Sequence, residues 1–195
     1  MLAGSGKSKY SDQGFRLQLS LQAGLILGSE FDQKTTKQGE AMSQIVKCGL
    51  IQCSNPINDE SVPVAEIQQA MLEKHLKYID EAGQKGVQIL CLQEIFNGPY
   101  YCPSQDARWY DSAEPIPDGP TTKLMQEYAK KYQMVIVVPI YEEHMRGVYY
   151  NSAAVIDADG TYLGKYRKQH IPQTSGFWEK YFFKPGDGGY PVFET

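Results

Sequence analysis

Between residues 45 and 94 the chain changes its hydrophobic period twice, and that change leaves few folds open. Ile45-Val46-Lys47-Cys48-Gly49-Leu50-Ile51 is β-branched and apolar, is bounded by Cys53-Ser54-Asn55-Pro56, and reads as a strand. Ser61-Val62-Pro63 then opens a helical pattern with Ile67, Met71, Leu72, Leu76 and Ile79 on one broad face, closing at Gly83 to Gly86. It leads into Val87-Gln88-Ile89-Leu90-Cys91-Leu92-Gln93-Glu94, which is almost continuously apolar, as a strand is when both its faces are covered. Strand, helix and buried strand in that order predict an α/β layer.

The pattern continues downstream. A long loop with Asn97-Gly98-Pro99-Tyr100-Tyr101 and Asp118-Gly119-Pro120 precedes a helix that starts at Pro120-Thr121-Thr122 and runs through Leu124, Met125, Tyr128 and Ala129. Val135 to Tyr141 is another apolar strand, and Tyr150 to Ile156 pairs with Tyr162 to Tyr166 across Asp157-Ala158-Asp159-Gly160, a hairpin signal. So βαβαβ gives way to antiparallel strands, and Tyr190-Pro191-Val192-Phe193 has the look of one more strand beginning. Residues 1–41, rich in Ser, Gly, Gln and Lys, read as a poorly ordered extension to a domain over 42–195. Gly4-Ser5-Gly6-Lys7-Ser8 is no phosphate-binding loop, because Met1 stands where that pattern needs its first Gly and no strand precedes it.

Composition narrows the functions. A net charge of −4 supplies no basic field for nucleic acid. No stretch approaches the ~20 continuous apolar residues of a membrane span. The four cysteines lack the paired CxxC spacing of zinc sites and are too few for a disulfide scaffold, so no metal site is expected, and a reducing, cytoplasmic setting is.

Three charged residues occupy places where a solvated charge is unusual. Glu94 ends a buried strand, where lost hydration would suit a general base, although a loop cap or a lysine partner explains it as well. Lys168 follows Lys165-Tyr166-Arg167, and alone reads as part of a basic surface cluster. Glu179 stands among aromatics in Gly176-Phe177-Trp178-Glu179-Lys180-Tyr181, and alone reads as a loop-edge charge. His75 is expected on the exposed side of its helix, His144 in a polar Glu142-Glu143-His144 turn, and His170 in a hydrogen bond that holds the Lys168 loop. Phe96, Tyr100, Tyr101, Trp109 and Tyr110 line a substrate mouth or simply pack.

Leu92-Gln93-Glu94, Leu163-Gly164-Lys165-Tyr166-Arg167-Lys168-Gln169-His170-Ile171-Pro172 and Gly176-Phe177-Trp178-Glu179, in this order, resemble the nitrilase superfamily of carbon-nitrogen hydrolases. Asp118-Gly119-Pro120, Tyr150-Asn151-Ser152-Ala153 and Lys184-Pro185-Gly186-Asp187 extend the resemblance from about Ile45 to Thr195, and the branch it is most similar to is that of the β-ureidopropionases and related N-carbamoyl amide amidohydrolases. The resemblance implies the N-terminal part of a four-layer α-β-β-α sandwich. It also implies a Glu-Lys-Cys centre with Glu94 as base, Lys168 as oxyanion partner and Glu179 orienting the lysine or the substrate, a mechanism that calls for no metal or organic cofactor. Tyr100, Tyr101 and Cys102 are the expected substrate-loop residues, the substrate a small N-carbamoyl or amide compound, and the complete protein a homo-oligomer.

The family's nucleophilic cysteine lies beyond the strand that Val192-Phe193 would begin, so it is expected to be missing from this chain. Cys91 is three residues from Glu94 and should face the other way, Cys48 and Cys53 are core or loop thiols, and Cys102 is loop packing. The 195 residues alone are therefore expected to be inactive. The alternatives are an N-carbamoylputrescine amidase, or a non-catalytic fragment or pseudoenzyme that binds ligand or a full-length partner.

Overall fold

The computed structural model of the chain describes residues 24–27, 31–33, 44–59 and 61–195. In chain order the elements are β1 (Gly24–Leu27), β2 (Phe31–Gln33), β3 (Gln44–Val46), β4 (Cys48–Gln52), α1 (Val64–Gln84), β5 (Ile89–Cys91), α2 (Pro120–Tyr132), β6 (Val135–Met145), β7 (Val148–Ile156), β8 (Tyr162–Arg167), β9 (Gln173–Thr174) and β10 (Phe177–Trp178), with 3₁₀ segments at Ala107–Ser112 and Glu179–Tyr181. One six-stranded sheet has the order β1-β4-β5-β6-β7-β8. β4, β5 and β6 are parallel, joined through α1 and α2, while β6, β7 and β8 form an antiparallel meander.

α1 buries Val64, Ile67, Met71, His75, Ile79 and Ala82, a three-and-four spacing that lays one stripe on the sheet. His75 thus belongs to the buried stripe, four residues from both Met71 and Ile79, and not to the exposed side expected of it. Gly83 lets the two helices meet, because a Cβ there would overlap the ring of Tyr132 at the end of α2. α2 starts with Pro120 in its first turn and stops at Gln133, which is left-handed with φ 50°. Ile51, Ile79, Leu90, Met125, Ile136 and Ile156 are among the residues of this helix-on-sheet core.

A second core is aromatic. Tyr101, Trp109, Tyr141, Phe182 and Phe183 pack with Ile95 and Cys102, and Tyr101 stacks on Trp109 at 5.0 Å and 12°. It anchors the long loop after β5 to the segment after β10.

Four further expectations change. The second strand covers only Ile89–Cys91 of the predicted 87–94: Leu92 still donates to Val137, but Ile95 turns left-handed with φ 49°, and Glu94 lies on that turn. His144 is exposed, but on β6, where Glu142 is fully buried, so no turn exists at Glu142-Glu143-His144. Val192-Phe193 forms no strand; Phe193 instead lies against Gly164 on β8, and Tyr190 stacks on Tyr166 at 6.0 Å. Within the segment expected to be a poorly ordered extension, β1 pairs antiparallel with β4 and β2 with β3; the rest of 1–41 lies outside the described residues. Among the described residues no helix is long and apolar enough to cross a membrane.

Candidate active site

Parallel strands deliver their C-terminal ends to one side of an α/β sheet, and that is where such sheets hold ligands. Here the segment after β4, the turn after β5 with Glu94, the residue after β8, Lys168, and Glu179 after β10 line one open cleft of about 750 Å³. Lys168 Nζ donates to Glu94 Oε1 at 2.9 Å and to Glu179 Oε2 at 2.8 Å. The three sequence-predicted residues, separated by 74 and 11 positions, meet at one ammonium group.

Strand alternation explains why Lys168 leaves its basic cluster. Successive side chains of β8 point to opposite faces. Lys165 donates to Glu142 Oε1 at 2.5 Å, and Arg167 donates to both Glu142 oxygens at 2.5 and 3.0 Å and to Asp187 at 2.8 Å. Ser152 Oγ gives Glu142 Oε2 a further bond at 2.5 Å. Burial alone would push the Glu142 carboxyl up, but Arg167, Lys165 and Ser152 hold it below the usual carboxylate range. Lys168, one residue on, falls to the other face, and its backbone is held at both ends: its N–H donates to the Asn151 carbonyl at 2.8 Å, and its carbonyl accepts from Gly186 at 2.9 Å. Gly186 has no room for a side chain, because a Cβ there would overlap the Arg167 carbonyl.

The side chains of the three site residues differ in burial: Glu179 is 3% exposed, Lys168 29% and Glu94 48%. Glu94 is therefore half in solvent, not the desolvated strand-end carboxylate expected from the sequence, because β5 ends three residues earlier. The buried Glu179 has a donor for each oxygen, Lys168 at one and the Tyr100 hydroxyl at 2.9 Å at the other. Burial works against the Lys168 charge, yet its bonds to Glu179 and Glu94 outweigh it and hold the ammonium above the ordinary lysine range. The Tyr100 phenol is pushed up by burial and by Glu179, so it stays a neutral donor. In such a centre the persistent cation can polarise a carbonyl oxygen while the half-exposed Glu94 carboxylate exchanges a proton.

Of the expected loop residues only Tyr100 lines this cleft; Tyr101 and Cys102 are in the aromatic core, with Phe96 and Trp109 also buried. The Cys102 thiol is pushed up to about 12, by burial first and then by the Glu179 carboxylate. Burial likewise raises Cys53 and Cys91. His170 is exposed and makes no hydrogen bond among the described residues, so the Lys168 loop is held by Asn151 and Gly186 instead. Among the described residues no group of three His, Cys, Asp or Glu side chains is placed to hold a metal ion. Sequence reasoning gave no role to Glu142 or Asn151. The one signal for Glu142 was the period-two basic run Lys165, Arg167 on a strand, which puts both cations on one face of the sheet, where they meet Glu142.

The carbon-nitrogen hydrolase family profile matches residues 47–195. The chain is 42% identical over 154 residues to a β-ureidopropionase of Arabidopsis thaliana, covering 78% of this chain and 37% of that protein. It is 47% identical over 119 residues to an N-carbamoylputrescine amidase of Solanum lycopersicum, covering 61% and 39%. A crystal structure of a carbon-nitrogen hydrolase from Helicobacter pylori G27 superposes with TM-score 0.58 at 33% identity, over 63% of this chain and 42% of that one. The chain thus spans well under half the length of these relatives. The profile match takes in the elements that carry Glu94, Lys168 and Glu179, and with this mixed α/β architecture it makes the chain a member of the carbon-nitrogen hydrolase family of the nitrilase superfamily.

Proposed function

We propose that the protein carrying this chain hydrolyses N-carbamoyl amines or N-carbamoyl amino acids. The observation that carries the reading is the Lys168 ammonium held between Glu94 and Glu179 in an open cleft. Glu94 takes a thiol proton, the thiolate adds to the ureido carbonyl, and Lys168 balances the charge on its oxygen as it becomes tetrahedral. The proton passes from Glu94 to the departing nitrogen. Glu94 then removes a proton from water, which adds to the thioester-like carbonyl and releases the thiol. Glu179 orients Lys168, and Tyr100 borders the substrate. Burial raises the Cys53, Cys91 and Cys102 thiols, the wrong direction for a nucleophile, and the reading therefore takes its thiolate from a part of the relatives' length that this chain does not span.

Similarity to both relatives supports two distal groups for the substrate, the carboxylate of N-carbamoyl-β-alanine or the ammonium of N-carbamoylputrescine. The same reading carries a cytoplasmic homo-oligomer. The test is to express the coding sequence that contains this chain through to its stop codon and to measure ammonia release from both compounds. Turnover of either, reduced at least ~100-fold in Glu94→Gln and lost in Lys168→Met, supports the proposal. A folded product that releases ammonia from neither rejects it in favour of a non-catalytic binding protein.

A further inference from the structure

Asn151 touches both halves of the charged centre. It lies inside β7, opposite Tyr141 of β6, and is 5% exposed. Its side-chain Nδ2 donates to Glu94 Oε1 at 2.5 Å, while its backbone carbonyl accepts the Lys168 N–H at 2.8 Å. Lys168 Nζ donates to that same oxygen, Glu94 Oε1, at 2.9 Å. Two donors from adjoining strand positions thus converge on one carboxylate oxygen, and Glu94 Oε2 accepts no hydrogen bond among the described residues.

This asymmetry matters because Glu94 itself has little to hold it. It sits on a turn, it is 48% exposed, and a free glutamate side chain would sample several rotamers. A carboxylate oxygen already accepting two hydrogen bonds is a poor place for a proton, since protonation would set O–H against N–H. The other oxygen is then the one open to exchange. We propose that Asn151 is a positioning residue of this centre: from a rigid strand it pins Glu94 Oε1 beside Lys168 and so leaves Oε2 as the oxygen that accepts and returns the proton. The residue type fits the task. An amide donates without adding charge, whereas an aspartate at this position would repel Glu94 and compete for Lys168.

The proposal rests on the hydrolase reading, but its test does not use turnover, so the two can fail separately. In the 195-residue chain, Lys168 acylation by acetic anhydride is measured at about pH 9 by mass spectrometry, with exposed Lys123 as internal reference. Asn151→Leu frees Glu94 to swing away, Lys168 loses a partner of its charged form, and its labelling relative to Lys123 is expected to rise about 3- to 10-fold. In a Glu94→Gln background the same substitution is expected to add nothing further, because Asn151 acts through Glu94. An unchanged rate in a natively folded Asn151→Leu chain overturns the proposal, as does an equal rise in both backgrounds. Should Asn151→Leu not fold, the Asn151 side-chain amide resonances decide. They are expected to shift on Glu94→Ala, a change at a half-exposed turn, and an amide indifferent to that change overturns the proposal.

Discussion

Arg167 and Lys168, neighbours in sequence, commit their charges to opposite sides of the sheet: Arg167 to Glu142 and Asp187, Lys168 to Glu94 and Glu179. The first pair fixes the strand end from which the second projects. The Glu142 clamp is therefore a support for Lys168 even though it lines no part of the cleft.

Glu142→Gln takes the buried counter-charge from Lys165 and Arg167 and is expected to cost about 3 kcal/mol. Urea unfolding reads this directly as a lower midpoint. A loss under about 1 kcal/mol would mean that the cluster behaves as a surface ion pair.

His75 gives the fold an acid sensitivity of its own. Burial lowers its pKa below the ordinary 6.5, against the opposing hydrogen bond to the Met71 carbonyl at 2.9 Å. The unfolded chain thus takes up a proton that the folded chain refuses. The corresponding stability is fully present above about pH 6.5 and is lost as pH falls through the window below it. His75→Leu is expected to flatten the dependence of unfolding free energy on pH between about 7.5 and 5.5. Parallel slopes in the wild type and the variant would remove His75 as the source.

Starting the chain at Met42 removes β1 from the sheet and leaves the edge of β4 unpaired. An unpaired edge is a template for association, so the truncated chain is expected to melt lower and to elute as larger species in size-exclusion chromatography. Unchanged melting and elution would give β1 no stabilising part.

The 195-residue chain by itself is expected to release no ammonia from N-carbamoyl-β-alanine. With its thiol raised to about 12, Cys102 is a thiolate in roughly one molecule in ten thousand at about pH 8. Ammonia release above a no-enzyme blank, abolished by Cys102→Ser and not by Cys91→Ser, would make Cys102 the nucleophile after all.

What the sequence by itself determined was what local periodicity and short-range order carry. The stripe of α1, the start of α2 at Pro120 and the hairpin across Asp157 to Gly160 follow from spacings that hold in any context. The family resemblance, carried by contiguous motifs, named Glu94, Lys168 and Glu179 as a set. Only the tertiary structure decided how those residues are held. Where β5 ends depends on its neighbours, and that end leaves Glu94 half in solvent. The depth of Glu142 depends on cross-strand partners 10 to 25 positions away, which no local window contains. Asn151 stood in a motif that extends the resemblance but had no role legible in it, because its amide finds Glu94 57 positions away and only sheet pairing brings the two together. Local periodicity assigns a residue to a face; which charge or amide waits on that face is set by long-range pairing, and here that pairing selects Lys168 from a basic run for the cleft.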